Sequence, residues 1–441
     1  MRQNLFMLKK QLPLLAVAML LCQFLQAQYL MDMVDTSKET GRGLLALYKK
    51  FDHLKIGGYI QPKFQVAESK GAKAFEGGDF ATNVSNRFML RRSRVRIDYV
   101  HFSEGKKPSV QIVFQFDANE RAFTVRDVWG RIFENKYKLF SLTTGMFARP
   151  FGYEVNLSSS DRESPERGRM SQTLMKSERD LGAMVSLDSR RKDNTLKYLR
   201  FDIGFFNGQG INAAGDFDNT KDLIGNVALK PYHLNKQITL AAGASILYGG
   251  LMQNTKYVYS TNDVLGVKKV TVDSSADNIT QTSPRHYYGT NAQLKFKSNK
   301  GLTTELRGEF ITGKQTGTLN NTETPVALVS GTDGFHIRSF NGAYFYFLQQ
   351  IFNVRNQLII KYDWYDPNTK VSGNEIGAAG SNFTAANIKY NTLGLGYVNY
   401  LTDNVKLVLY YAKVTNEKTQ LTNYTKDIKD NILTCRLQFR F

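Results

Sequence analysis

The sequence predicts an all-β fold, a closed antiparallel β-barrel of about sixteen strands that crosses a membrane. Three observations lead to this prediction. The 441-residue chain begins with an export signal, most of the rest alternates apolar and polar residues with a period of two, and short connections between the alternating runs interleave with long ones. Each observation alone fits other folds, and the combination indicates a transmembrane barrel.

The first 27 residues have the three parts of a secretory signal peptide. Arg2, Lys9 and Lys10 precede an apolar run at 12–21, and the small Ala27 follows. That run is shorter than the ~20 residues that a membrane-spanning helix needs. We predict cleavage after Ala27, and the loss of three basic residues lowers the net charge from +19 to +16. Export argues against nucleic acid as a partner and leaves anionic solutes and lipopolysaccharide phosphates.

A short amphipathic helix is predicted between the signal peptide and the barrel. Leu44, Tyr48 and Phe51 recur at helical spacing within 36–51, a pattern typical of a helix with one apolar face. Beyond residue 53 the period changes to two. The predicted organisation is therefore a signal peptide at 1–27, a periplasmic helical segment at 28–53 and a barrel at 54–441.

The C-terminus gives the clearest strand pattern. Leu433, Leu437 and Phe439 alternate with Arg436 and Arg440, and alternate residues of a strand point to opposite faces. Sixteen such runs can be identified, at 54–66, 87–101, 108–118, 122–134, 138–148, 180–188, 196–207, 221–231, 236–250, 284–297, 301–313, 336–348, 352–364, 389–401, 404–415 and 427–441. With an even number of strands, both chain termini are expected on the periplasmic side.

The connections between these runs differ in length. Short ones such as 298–300 and 402–403 interleave with long ones. The long connections lie at 67–86, 149–179, 251–283, 314–335 and 365–388. Short periplasmic turns and long external loops are the asymmetry expected of an outer-membrane barrel.

Motifs for catalysis are absent from the sequence. The five histidines lie far apart, without the spacing of a zinc site, and no HExxH, CxxC or GxSxG motif occurs. We therefore expect no enzymatic activity, no metal and no cofactor.

Basic residues on the inward faces of strands are the main indication of function in the sequence. Arg92, Arg94 and Arg96 share one face of the second strand, about 7 Å apart from one to the next. They either raise the potential of a water-filled lumen or form a row of anion sites, since guanidinium groups suit carboxylate and phosphate. Glu305 and Glu309 on another strand indicate that the lumen is not uniformly positive.

The connection at 149–179 is rich in charges of both signs. It includes Arg149, Arg162 and Arg167 among several acidic residues. Either it is a disordered external loop, or it folds into the barrel and narrows it, so that its charges set selectivity. The density of opposite charges suggests self-pairing, and we predict an inward-folded constriction loop.

Three stretches resemble the phosphate-selective porin family. They are GGYIQPKFQ at 57–65, FMLRRSRVRIDY at 88–99 and GMFARPFGYEVNLSSSDRESPERG at 145–168. The resemblance implies a trimeric, sixteen-stranded, anion-preferring channel whose constriction carries Arg91 or Arg92 and Arg167. The chain departs from the family pattern at Tyr59, Arg149 and Gly168, and these departures put phosphate specificity in doubt.

The sequence thus predicts passive diffusion of small anionic or hydrophilic solutes through an outer-membrane homotrimer that contacts lipid and lipopolysaccharide. The alternatives are a general, weakly selective porin and a barrel adhesin or structural anchor. The predicted anion-binding or constriction residues are Arg91, Arg92, Arg94, Arg96, Arg149, Arg162 and Arg167.

Overall fold

The computed structural model describes residues 53–103, 107–191 and 193–441. The predicted signal peptide and, except for its last residue, the helical segment 28–53 lie outside the described residues. No helix in the described ranges has the length and apolar character needed to cross a membrane.

Eighteen strands and one α-helix make up most of the described chain. The first nine strands are β1 (Leu54–Ala67), β2 (Asn86–Ser103), β3 (Lys107–Ala118), β4 (Phe123–Phe133), β5 (Phe140–Ala148), β6 (Arg179–Asp188), β7 (Leu199–Phe206), β8 (Asp222–His233) and β9 (Ile238–Met252). The others are β10 (Val258–Val264), β11 (Val267–Asp273), β12 (Thr282–Lys297), β13 (Thr303–Gly317), β14 (Phe335–Gln350), β15 (Asn356–Asp366), β16 (Tyr390–Tyr400), β17 (Val405–Asn416) and β18 (Ile432–Arg440). Helix α1 (Arg169–Leu174) lies between β5 and β6.

Sixteen of these strands close into a barrel. Each pairs antiparallel with its neighbour, β9 pairs directly with β12, and β1 pairs with both β2 and β18. The predicted sixteen-stranded barrel is therefore confirmed. Strands β10 and β11 form a hairpin of their own within the long connection 251–283, where no strand was predicted, and the last barrel strand begins at Ile432 instead of 427.

The two faces of the barrel wall differ as the alternation predicts. On β2, Val95 and Tyr99 are 38% and 40% exposed on the outer surface, whereas Arg92 and Arg94 are buried inside. On β18, Leu433 and Phe439 lie outside, and Arg436 is buried. An apolar outer wall around a polar interior is the arrangement of a barrel that faces lipid.

Two β-bulges interrupt the alternation and turn additional charged residues inward. In the β1–β2 ladder, Ile60 pairs with Ser93 and Pro62 with Leu90, so that Arg91 and Arg92 together oppose one residue, Gln61. A bulge of this kind lets two consecutive side chains share a face, and proline is tolerated there because it has no N–H to donate.

The second bulge lies in the β3–β4 ladder. Gln115 pairs with Asp127 and Phe116 with Val125, so Arg126 is the extra residue. Both Arg126 and Asp127 consequently have side chains that are mostly buried within the barrel. Each bulge therefore adds one arginine to the lumen that strict alternation would place on the outside.

The barrel closes where the chain end meets β1. The backbones of Gly58 and Phe441 exchange two hydrogen bonds of 3.1 and 3.0 Å. A Cβ atom on Gly58 would lie 2.3 Å from the carbonyl oxygen of Arg94 and 2.6 Å from the Phe441 ring. Glycine is therefore required at position 58 so that the terminal aromatic ring can cover the backbone, as aromatic residues do beside strand glycines.

We predict that Gly58→Ala destabilises the barrel by about 1–3 kcal/mol, because the added methyl group overpacks the closure. The measurement is the temperature at which folded protein loses its heat-modifiable mobility on electrophoresis. Gly57→Ala is the matched control, since a Cβ there meets no atom closer than 3.5 Å. An equal fall in this transition temperature in both variants would contradict a stabilising role for the Gly58–Phe441 contact.

Candidate functional site

The segment 149–179 between β5 and β6 runs into the barrel. Phe151, Val155 and Met170 are almost completely buried and belong to the main hydrophobic cluster, which includes barrel-wall residues. The ring of Phe151 meets that of Tyr287 on β12 edge-on, with centroids 5.9 Å apart. The predicted inward-folded constriction loop is confirmed, and a disordered external loop is ruled out. We call this segment the constriction loop.

Glu154 joins the two halves of the constriction loop. Its carboxylate accepts hydrogen bonds from the Gly168 backbone N–H at 2.9 Å and the Ser171 hydroxyl at 2.7 Å, and Lys361 Nζ on β15 lies 3.3 Å away. Burial raises the pKa of Glu154, but Lys361 and Arg162 outweigh this effect and lower it below the usual range. The loop is thus held as a folded unit around an ionised carboxylate.

One side of the barrel holds this loop. The Glu309 carboxylate on β13 accepts hydrogen bonds from the backbone N–H groups of Tyr153 and Glu154 at 2.7 and 3.0 Å. Further bonds run from Lys406 Nζ to the Ser160 carbonyl (2.6 Å), from Arg436 to the Pro165 carbonyl (3.0 Å) and from Arg307 to Glu163 (3.1 Å). The loop therefore covers the β13–β18 wall and uses that wall's basic residues for structural bonds.

Glu166 connects the constriction loop to β1 and β2, the strands that follow β18 around the barrel. Its two carboxylate oxygens lie 2.7 Å from Arg91 Nε and 2.6 Å from Arg92 Nη2, and Lys63 Nζ is 3.5 Å away. Burial raises the pKa of Glu166, but the Arg91, Arg92 and Lys63 charges more than offset this and hold it well below the usual range. The pair of arginines that the β2 bulge turns inward thus binds one loop carboxylate.

Two of the cavities in the described part of the chain lie along the wall that the loop leaves open. The periplasmic cavity, of about 690 Å³, reaches Lys55 and Phe441 near the chain ends of the barrel. The extracellular cavity, of about 630 Å³, reaches Asp79 and Glu323 in long external connections. The linings of both cavities include Arg94, Arg126 and Arg167. We call these three arginines the constriction arginines.

The constriction arginines come from three different elements. Arg94 on β2 lies 2.8 Å from Asp117 on β3, and Arg126 on β4 lies 3.1 Å from Glu178 at the end of the constriction loop. Arg167, from the middle of the loop, also pairs with Glu178. The two cavities therefore share three guanidinium groups, whose carboxylate partners Asp117 and Glu178 line the extracellular cavity. Three cations against two carboxylates leave an excess of positive charge.

The two cavities differ in charge. The periplasmic cavity is lined by nine basic and three acidic side chains. The extracellular cavity is lined by six basic and five acidic side chains. Basic side chains therefore outnumber acidic ones most clearly on the periplasmic side of the constriction.

The predicted site residues occupy different places in this arrangement. Arg94 and Arg167 lie at the constriction, Arg91 and Arg92 line the extracellular cavity, and Arg96 lines the periplasmic one. The remaining two, Arg149 and Arg162, are buried and bond to backbone carbonyls of Ser177 and Pro165 respectively. They line neither cavity, so the structure does not bring them together with the other five.

Sequence reasoning missed Arg126, Glu178 and Asp117. Arg126 is inward only because of the β4 bulge, and the signal for that bulge is a pair of consecutive polar residues between Val125 and Val128. The same signal, two polar residues that break an alternation, marks the β2 bulge.

A closed antiparallel barrel with a lipid-facing surface and an inward loop is the fold of outer-membrane channels. Similar solved structures support this assignment. The Pseudomonas putida protein OprB matches with a TM-score of 0.57 at 9% identity, over 91% of this chain and 96% of that chain. The Acinetobacter baumannii outer-membrane channel DcaP matches with a TM-score of 0.50 at 11% identity, over 88% and 97% respectively.

No family model matches the sequence, and no curated protein does. The similarity to these solved structures shows that the chain has the fold of an outer-membrane porin. Phosphate selectivity, which the motif resemblance implies, stays a prediction.

We predict that Glu166→Gln loosens the constriction loop, because Lys63, Arg91 and Arg92 would lose the carboxylate that balances them. Breaking a buried ion pair from one side costs roughly 3–5 kcal/mol. The measurement is the rate of trypsin cleavage within 149–179 in the folded barrel, which should rise at least tenfold.

Asp161→Asn is the matched control, since it removes a loop carboxylate whose pairing with Arg440 is more than half exposed at both residues.

The ion pairs of Glu166 also predict a pH dependence. The pKa of Glu166 is depressed in the folded protein, so this residue contributes stability above its unfolded pKa, and the contribution is lost as pH falls through the folded pKa. The difference in cleavage rate between wild type and Glu166→Gln should therefore be the same at pH 7 and at pH 6, and a difference that disappears between these values would contradict the assigned ion pairs.

Proposed function

We propose that this protein is an outer-membrane porin through which small solutes diffuse passively, with a preference for anions. The observation that carries the proposal is that two cavities, one towards each end of the barrel, share the constriction arginines in their linings. A path that narrows at charged side chains selects solutes by size and charge without any chemical step.

The balance of charge supports anion preference. Basic side chains outnumber acidic ones in both cavities, and the excess is larger on the periplasmic side. Fields of one sign in a low-dielectric channel concentrate ions of the opposite sign. Anions would therefore be enriched at the constriction relative to cations.

Ion pairing favours a second candidate, a general and weakly selective porin. Asp117 and Glu178 neutralise much of the charge of the constriction arginines. Where each cation has an acidic neighbour, the field that a passing solute meets is smaller. The two candidates differ in the size of the anion preference, which electrophysiology measures directly.

Several further features belong to this proposal. Residues 1–27 would direct export, residues 28–53 would lie in the periplasm, and the mature barrel would assemble as a homotrimer. Lipopolysaccharide phosphates would interact with the net positive chain from outside. Phosphate is one candidate solute among small anions, and catalysis has no part in the proposed function.

We predict that purified protein forms stable channels in a planar bilayer and that a salt gradient gives a reversal potential of the sign expected for anion current. The reason is the basic excess in the lumen. A folded barrel that inserts without conducting would overturn the porin proposal and favour a structural anchor, and a reversal potential near zero would favour the general porin.

Arg126→Gln and Glu178→Gln should shift the reversal potential in opposite directions. The first removes a constriction arginine and lowers anion preference, whereas the second frees Arg126 and Arg167 from their shared carboxylate and raises it. Arg191→Gln is the matched control, because its pair with Asp193 is exposed and Arg191 lines neither cavity. Shifts of the same sign in both constriction variants would contradict the assigned path.

Phosphate should block chloride current weakly. A true phosphate site needs several free donors directed at one tetrahedral anion, each charge-assisted bond contributing ~1.5–3 kcal/mol. Here Arg94 already donates to Tyr59 and Ser159 at 2.7 and 2.9 Å. The measurement is half-blocking concentration, and phosphate block at tenfold lower concentration than sulfate block would contradict this expectation.

A further inference from the structure

One arginine of the periplasmic cavity stands apart from the others. Seven of the nine basic side chains that line this cavity have a carboxylate partner within 4.0 Å. Across the described ranges 53–103, 107–191 and 193–441, neither Arg131 nor Lys55 has such a partner. Lys55 is exposed at the rim of the cavity, whereas Arg131 on β4 is half-buried in its wall.

The guanidinium of Arg131 is held in place by neutral groups. Its Nε donates to the hydroxyl of Thr143 on β5 at 2.8 Å, and its Cζ lies 5.0 Å from the ring centroid of Trp129. Contacts of this kind fix the planar group by a hydrogen bond and a cation–π interaction without neutralising it. The two Nη groups have no hydrogen-bond partner in the described part of the chain, and Arg131 lines the cavity.

The charged neighbours of Arg131 balance one another. Arg96 and Arg200 line the same cavity, and each is bound to its own aspartate, Asp98 at 2.7 Å and Asp202 at 2.8 Å. Arg131 therefore offers one uncompensated charge with a free pair of donors. A carboxylate has one charge and two coplanar oxygens, and it matches this fork bidentately. A monoanion balances this single charge, whereas a dianion such as phosphate would leave one negative charge uncompensated.

We propose that Arg131 is the main contact of a binding site for small monocarboxylate solutes on the periplasmic side of the constriction. This proposal names a class of solute for the proposed channel. The part of the site in transport therefore rests on the proposed porin function. A solute that passes the constriction arginines would meet Arg131 before it leaves the barrel, since Arg131 lines the periplasmic but not the extracellular cavity.

Trp129 provides a direct readout of this site. The chain has two tryptophans, so Trp364→Phe leaves Trp129 as the single indole fluorophore. We expect sodium propionate, titrated into folded, detergent-solubilised protein at constant ionic strength, to change Trp129 fluorescence with saturation. Sodium chloride alone should give no saturable change, and phosphate should bind more weakly than propionate.

Two variants separate a specific site from a general field. In the Trp364→Phe background, Arg131→Gln should raise the half-saturating propionate concentration about tenfold or more, given the strength of charge-assisted hydrogen bonds. Lys55→Gln removes the other unpaired cation of the same cavity and should change the half-saturating propionate concentration less than twofold. Thr143→Val, which leaves the charge in place but removes the hydroxyl that holds Nε, should weaken binding to an intermediate extent.

The outcomes distinguish this site from the channel function. Equal weakening by Arg131→Gln and Lys55→Gln, a non-saturating signal, or tighter binding of phosphate would each overturn the monocarboxylate site. An anion-selective channel without a saturable propionate signal would leave the porin proposal intact and remove the site. A saturable, Arg131-dependent signal in a barrel that passes no current would support the site and overturn the channel.

Discussion

The shape of the lumen depends on the ion pairs that Glu166 makes with Arg91 and Arg92. Two adjacent arginines and Lys63 would repel one another strongly in a semi-buried wall without a carboxylate among them. Glu166 supplies that carboxylate from the middle of the constriction loop, and so ties the loop to β1 and β2. The position of the loop then decides which wall is covered and which wall lines the two cavities.

Covering one wall has a consequence for the basic residues on it. Lys361, Lys406 and Arg436 are all inward-facing, yet their charges are directed at the loop's carboxylate and carbonyl oxygens. They act as structural anchors, whereas the wall opposite keeps the side chains that line the periplasmic and extracellular cavities. An inward-facing charge in a barrel is therefore functional or structural according to where the inward loop packs, not according to its strand alone.

Sequence pattern predicted the barrel closely, because side-chain alternation and connection length follow from local geometry. It predicted sixteen strands and the inward loop, and it identified Arg94 and Arg167. It missed Arg126 because a bulge reverses the face of a single residue, and it grouped Arg149 with the lumen arginines although that side chain bonds to backbone carbonyls. It also missed the β10–β11 hairpin. These features depend on which strands and side chains pair in the folded barrel, and the period of the sequence does not specify those pairings.

Selectivity in such a lumen is set by the charges that remain after pairing. Asp117, Glu178 and Asp127 offset most of the arginines at and near the constriction, so adding or removing one carboxylate changes the net field more than adding another paired arginine would. Arg131 differs because a hydroxyl and an indole ring hold it without neutralising it. A barrel can thus keep a rigid, solvated wall of ion pairs and still present one fixed, uncompensated charge to a passing solute.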